Sequence, residues 1–127
     1  MQFRTPAGIL FEIPDEWWAC AEMEGFSRGG NQSYSCCPIS DNVEIVPLAE
    51  VGPPTRSSGV PPFKKYKLVP VLFGFQSPEA PLPAITVLRK APPDKYRYKI
   101  YNGYHRYYAS AAVGYPSLPV IIMESIP

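Results

Sequence analysis

Proline is the feature that most constrains this chain, because it occupies 17 of the 127 positions. A proline in the interior of a helix costs about 3 kcal/mol, so prolines at this density exclude a helical bundle or a coiled coil. Hydrophobic residues nevertheless make up 46% of the sequence, which is enough for a buried core rather than a disordered tail. We therefore expect one folded domain, residues 1–127, with many turns.

The sequence lacks the patterns of membrane, secreted and zinc-binding proteins. No apolar run approaches the roughly 18 residues of a membrane span, and residues 1–14 lack the apolar core and cleavage site of a secretory signal. The odd number of cysteines, three, argues against a disulfide framework. With His105 as the only histidine, a four-ligand zinc site is not expected either. We expect a cytoplasmic protein with no metal held by its own side chains.

The charges are unevenly distributed although the net charge is only +1. Residues 1–50 contain eight acidic and two basic residues, whereas residues 51–127 contain ten basic and three acidic residues. The basic half could bind a phosphate-bearing ligand, or the two halves could screen each other in the folded protein. Sequence-independent DNA binding is not expected, since it normally requires a strongly basic surface.

The first third of the chain predicts a hairpin and a helix. Residues 2–4 and 8–13 alternate between apolar and polar side chains around a Pro-Ala-Gly turn, which is typical of a hairpin. Asp15 and Glu16 follow a proline and favour the start of a helix, which we expect to stop near Gly25. Two tryptophans in this helix are expected to pack in the core, the alternative being a platform that stacks on a base. The polar segment that follows is expected to be a loop up to residue 42.

The rest of the chain predicts an α+β fold. Residues 52–62 are rich in proline and glycine and are expected to be a loop, and the short helix expected at 63–68 should end before Pro70. Tyr104 to Val113 contains no proline or glycine and ends at Gly114, which predicts a helix. Four strands are expected, at 43–46, 85–88, 96–101 and 118–123. These segments predict a small mixed sheet with helices packed against it.

The candidate functional residues of this sequence lie at a junction of a strand, a glycine and a helix. Asn102 and Gly103 separate the strand at 96–101 from the following helix, and glycine permits a sharp turn close to a ligand. The first amides of a helix are unpaired and attract anions. His105 and Arg106 lie in that first turn, where they could transfer a proton and bind a phosphate. The alternative is a hydrogen-bonded structural histidine and a paired or solvated arginine.

The segment YKIYNGYHRYYASAAVGYPSLPVIIM, residues 98–123, resembles the core motif of the ParB/sulfiredoxin-like superfamily. Residues 82–87 and 43–56 resemble upstream strands of the same family. The resemblance covers about 43–123 and implies a ParB/sulfiredoxin-like core at 43–127. Residues 1–42, which have no counterpart, would be an extra N-terminal hairpin and helix.

The resemblance implies a nucleotide pocket for ATP or CTP with Mg²⁺, in which the Gly-x-His-Arg turn holds the phosphates. His105 would be the catalytic residue of an NTPase or phosphotransferase, and Arg56 would be a second cation. The implied phosphate-binding set is Arg56, Asn102, Gly103, Tyr104, His105 and Arg106. Tyr104 and Tyr107 could stack on a base, or they could pack in the core.

The sequence also departs from the family. Tyr104 occupies the position at which sulfiredoxins have their catalytic cysteine, so sulfinic-acid reduction is not expected. Only Arg106 is present where chromosome-partitioning ParB proteins have two arginines, and residues 1–127 include no counterpart of their helix-turn-helix domain, so centromere-type DNA clamping is not expected. A non-catalytic module that binds a protein partner through a vestigial pocket is the alternative function. A DNA nuclease is the weaker alternative, since no paired carboxylates mark a metal site.

Overall fold

The computed structural model describes residues 1–36, 42–56, 59, 61–77 and 81–124. Its elements, in chain order, are β1 (Gln2–Arg4), β2 (Leu10–Glu12), α1 (Asp15–Cys20), β3 (Val43–Pro47), a three-residue 3-10 helix (Leu48–Glu50), β4 (Val51–Gly52), α2 (Lys65–Gly74), β5 (Ile85–Arg89), β6 (Tyr98–Asn102), α3 (Tyr104–Val113) and β7 (Ser117–Met123). The predicted α+β class is confirmed. None of the helices in the described ranges is long and apolar enough to cross a membrane.

The main sheet is mixed, as predicted. Its strand order is β3-β7-β5-β6-β4, and β1 and β2 form a separate antiparallel hairpin. β7 is antiparallel to β3 and parallel to β5, whereas β6 is antiparallel to β5 and parallel to β4. The parallel pairing of β5 with β7 requires a connection that returns the chain to the same end of the sheet, and β6 followed by α3 provides it.

The segment from β6 to β7 agrees closely with the sequence-based prediction. α3 begins at Tyr104 and ends at Val113, as predicted. Gly114 has a φ of +86°, and the amide of the following Tyr115 donates to the Ser110 carbonyl at 3.0 Å. This arrangement is a common way to satisfy the last carbonyls of a helix.

The predicted end of the second helix is wrong. α2 runs from Lys65 to Gly74 and continues through Pro70, instead of ending before it. Leu68 and Leu72, on either side of this proline, are completely buried. The proline itself is exposed, and burial of the two leucines offsets the lost backbone hydrogen bond, so packing overrides local propensity.

The N-terminal hairpin is confirmed, but α1 is shorter than predicted. α1 ends at Cys20 rather than near Gly25, because Glu22 has a φ of +57° that a helix cannot accommodate. The predicted core packing of the tryptophans is confirmed, since both pack against the buried core and Trp18 stacks on Phe3 with ring centroids 5.3 Å apart. The predictions that concern residues 37–41, 57, 58 and 60 lie outside the described residues.

Candidate functional site

A cleft of about 510 Å³ lies where β6 ends and α3 begins. β4 pairs in parallel with the start of β6, and the chain then leaves this pairing so that residues 54–56 form the opposite wall. α2 contributes Lys67 and Val71 to the same cleft. All six residues of the predicted phosphate-binding set line it: Arg56, Asn102, Gly103, Tyr104, His105 and Arg106. The fold therefore brings these residues together, and their role in binding remains a prediction.

Gly103 sets the corner of the cleft for two separate reasons. Its φ is +133°, a conformation that other residues rarely adopt. A Cβ atom at this position would lie 2.6 Å from the Cβ of Ile85 and closer still to its Cγ2. Glycine is therefore required here by backbone conformation and by the packing of the helix start against β5. Within the described ranges, no side chain caps this N-terminus of α3.

Three cationic side chains line the cleft: Arg56, Lys67 and Arg106. No aspartate or glutamate is among the described residues that line it, and within the described ranges no carboxylate forms an ion pair with any of the three. Sequence reasoning missed Lys67, because nothing in the local pattern shows that α2 lies beside the start of α3. The described lining therefore gives the cleft a positive potential that no described carboxylate neutralises.

Arg56 lies over an aromatic ring at the rim of the cleft. Its guanidinium carbon is 4.0 Å from the ring centroid of Tyr104. A cation–π contact of this kind holds the guanidinium in place. The guanidinium also hydrogen-bonds the Tyr104 side chain, and since arginine has five N–H donors, the others can still bind an anion. Arg56 is exposed, so a ligand can reach it.

Arg106 is partly committed to the fold. Its Nη1 donates to the carbonyl oxygens of Pro83 at 2.8 Å and Ala84 at 2.9 Å, which ties α3 to the segment before β5. Among the described residues, no partner is found for its Nε or Nη2. The edge of the guanidinium that carries these two nitrogens retains the fork geometry that binds a phosphate bidentately.

His105 connects the starts of two helices. Its side chain is buried, and Nε2 accepts a hydrogen bond of 3.2 Å from the amide of Lys64, the residue before α2. Burial lowers the pKa of His105 to about 4, and the positive charges of Arg56 and Lys67 contribute in the same direction. The imidazole is therefore neutral at physiological pH and its Nε2 is occupied. This geometry gives His105 a positioning contact, and its catalytic role remains a prediction.

The tyrosines near the junction divide between the cleft and the core. Tyr101 is 51% exposed and lines the cleft, as does the half-buried Tyr104. Of the two alternatives for Tyr107, packing in the core is the one found, because its side chain is fully buried in the core cluster. A residue three positions after Tyr104 lies one turn further along α3, and this turn packs against the core rather than facing the cleft.

Neither a cluster of metal ligands nor a related protein helps to identify what the cleft binds. Among the residues that the structure describes, no three His, Cys, Asp or Glu side chains cluster closely enough to hold a metal ion. No protein-family model matches the chain, and comparison with curated proteins finds no match.

Proposed function

We propose that this protein binds a nucleoside triphosphate, with the phosphates in the cleft at the start of α3. The observation that carries the proposal is the convergence of Arg56, Lys67 and Arg106 on one cleft whose described lining contains no carboxylate. Placing like charges together without counterions costs free energy in the empty protein. A polyanion recovers that cost when it binds.

The backbone adds to the attraction of the side chains. The positive end of the α3 dipole and the first amides of the helix face the turn at Gly103, where no side chain caps them. The free edge of Arg106 and the guanidinium of Arg56 would hold phosphate oxygens. The cationic lining suits phosphates rather than a bare metal ion, so Mg²⁺ would arrive with the nucleotide, coordinated by its phosphates.

The size and the rings of the cleft are compatible with a nucleotide. Small-molecule sites are typically about 300–1,000 Å³, and the cleft measures about 510 Å³. Of its aromatic side chains, the exposed Tyr101 offers a face for a sugar or a base, whereas Arg56 covers one face of Tyr104. The resemblance to ParB/sulfiredoxin-like proteins supports the same proposal, since it implies ATP or CTP at a Gly-x-His-Arg turn and a ParB/sulfiredoxin-like core around it.

The site is better suited to binding than to rapid turnover. Hydrolysis or phosphoryl transfer requires a group that positions or deprotonates the attacking oxygen. Nε2 of His105 is already hydrogen-bonded to Lys64, and the described lining holds no carboxylate that could replace it. We therefore propose nucleotide binding as the function, with any hydrolysis slow.

Isothermal titration calorimetry with ATP and CTP, each with and without Mg²⁺, tests the proposal. We expect saturable binding to the unaltered chain and a loss of at least about tenfold in affinity in the double variant Arg56→Gln/Lys67→Gln, since each charge-assisted contact contributes about 1.5–3 kcal/mol. The matched control is Arg89→Gln/Arg97→Gln, which removes two positive charges away from the cleft. Absence of binding by a folded chain, or equal losses in both double variants, would refute the proposal.

One observation favours the alternative of a protein-interaction module. Tyr66 is 70% exposed and Phe73 is 46% exposed on α2. They are seven residues apart and therefore lie on one face of the helix. Clustered exposed aromatic side chains often mark interaction surfaces. Failure of every nucleotide to bind would make this the leading function, and a Tyr66→Ser/Phe73→Ser variant would then be compared with the unaltered chain for capture of a stoichiometric partner.

A further inference from the structure

A second hollow, of about 260 Å³, adjoins the cationic cleft. It shares four lining residues with the cleft, Pro54, Thr55, Arg56 and Tyr104, so the Arg56–Tyr104 pair borders both spaces. The N-terminal hairpin forms its outer wall. We call this space the hairpin hollow and propose that it holds the nucleobase of the bound triphosphate. This inference rests on the proposed function.

The walls of the hairpin hollow are aromatic. Phe11 from β2 lies 5.0 Å from the ring of Tyr108 and 5.9 Å from that of Phe63, measured between centroids. Tyr104 continues the same wall, with its ring 5.0 Å from that of Tyr108. Phe63 and Tyr108 are buried, with 7% and 5% exposure, and they support the two half-buried rings, Phe11 and Tyr104, that a base could contact. A stacked base contributes about 1–3 kcal/mol.

Two aliphatic side chains form the lip of the hollow and are left in water. Leu10 is 58% exposed and Ile9 is 43% exposed. Exposed apolar area is unfavourable, at about 25 cal/mol per Å². A base that enters the hollow would cover both side chains, so the hairpin turn would contribute to affinity although it has no counterpart in the resembling family.

The hollow has few hydrogen-bonding groups that could recognise the edge of a base. The hydroxyl of Tyr108 already donates to the Pro54 carbonyl at 2.6 Å. Most of the other lining side chains are apolar, and Arg56 at the boundary is positioned for the phosphates. Recognition would then depend on stacking area rather than on hydrogen bonds, which favours the larger purines over pyrimidines and discriminates weakly between adenine and guanine.

Titrations with ATP, GTP, CTP and inorganic tripolyphosphate test this inference. The variant Ile9→Ala/Leu10→Ala should weaken ATP and GTP by about fivefold, because it removes apolar contact, and leave tripolyphosphate within about twofold. Ile45→Ala is the matched control, since Ile45 is 54% exposed but lies on β3. In the unaltered chain ATP and GTP should bind within about threefold of each other, and CTP more weakly.

Three outcomes would overturn the base site alone: ATP affinity unchanged in the double variant, equal weakening of ATP and tripolyphosphate, or CTP as the tightest ligand. Each of them is compatible with tripolyphosphate binding to the unaltered chain. If neither tripolyphosphate nor any nucleotide binds to the unaltered folded chain, the proposed function fails and the base site fails with it. Circular dichroism of each variant confirms that the fold is retained.

Discussion

Two regions of this molecule are rich in basic side chains, and they differ in how those charges are balanced. At the end of the sheet formed by β5 and β6, three basic side chains have a carboxylate partner within 3.6 Å; the pairs are Arg89–Glu124, Lys90–Asp94 and Arg97–Glu50. The cleft residues Arg56, Lys67 and Arg106 have no carboxylate partner within the described part of the chain. Ion pairs within the fold balance Arg89, Lys90 and Arg97, whereas no such pair balances the three cleft cations in the described ranges.

The unpaired cations of the cleft affect the pKa of His105, the single histidine of the sequence. The cleft cations Arg56 and Lys67 contribute to the lowered pKa of His105, after the larger effect of burial. Unpaired cations thus act on their surroundings, whereas exposed ion pairs contribute only about 0–1 kcal/mol and little potential.

The largest expected effect comes from a substitution at Gly103, the residue at which the chain turns into α3 and forms the corner of the cleft. Gly103→Ala should lower the free energy of unfolding by roughly 3–5 kcal/mol, because it combines a disfavoured backbone conformation with a clash against Ile85. Urea denaturation of the variant measures this loss. The β5–β6 pairs should unfold together with the rest of the chain.

Gly25→Ala is the matched control for this variant. Gly25 has a φ of +79°, but a Cβ there would meet nothing within 4 Å. We expect a smaller cost of about 1–2 kcal/mol, from the backbone alone. Equal costs for the two variants would show that contact with Ile85 does not define the corner.

The next largest expected effect is a pH dependence of the free energy of unfolding, which arises from His105 beside the cleft cations. The pKa of His105 is lowered to about 4 in the folded chain from an ordinary value of 6.5. The unfolded chain therefore binds the proton first as the pH falls. The stabilisation linked to neutral His105 should be fully present above about pH 6.5. The free energy of unfolding should then decrease by about 3 kcal/mol as the pH falls from 6.5 through 4.

His105→Gln isolates this effect, since it has no titration in that range but can still accept the Lys64 amide. The difference in unfolding free energy between the unaltered chain and this variant should change between pH 6.5 and 4. Arg56→Gln should raise the pKa of His105 as measured by NMR, and Arg97→Gln should leave it unchanged. A pKa near 6.5 in the unaltered chain would contradict this account of the cleft.

The smallest expected effects separate the cations that support the fold from those that do not. Arg106→Ala should cost about 1–2 kcal/mol of stability, because it leaves the Pro83 and Ala84 carbonyls without their donor. Arg56→Ala and Arg97→Ala should each cost less than about 1 kcal/mol, since their contacts are exposed. Thermal unfolding measures all three. A negligible cost for Arg106→Ala would mean that its hydrogen bonds do not hold α3 to the segment before β5.

The sequence predicted the parts of the site that depend on local signals. A strand, a glycine and an uninterrupted helix ending at Gly114 are neighbours in the chain, so the position of Arg106 and the bounds of α3 followed from them. The mixed sheet also followed, because its strands are short apolar runs between prolines and glycines. These features required no knowledge of distant contacts.

The missed features all depend on tertiary contacts. Continuation of α2 through Pro70, and with it the arrival of Lys67 at the cleft, depends on the burial of leucines against other elements. The sequence left open whether Tyr107 packs in the core, because that depends on which face of α3 meets the core. The hairpin hollow arises only when β2 packs beside Tyr108, 97 positions after Phe11 in the chain. None of these contacts has a local pattern.

Two-dimensional amide NMR spectra of the isotope-labelled chain during titration with ATP test the central claim most directly. If the unpaired cations and the open helix end serve an anionic ligand, the amides of Tyr104, His105 and Arg106 should shift and saturate, while those of residues 89–97 stay in place. Saturable shifts confined to residues 89–97, or no saturable shift anywhere, would contradict the account.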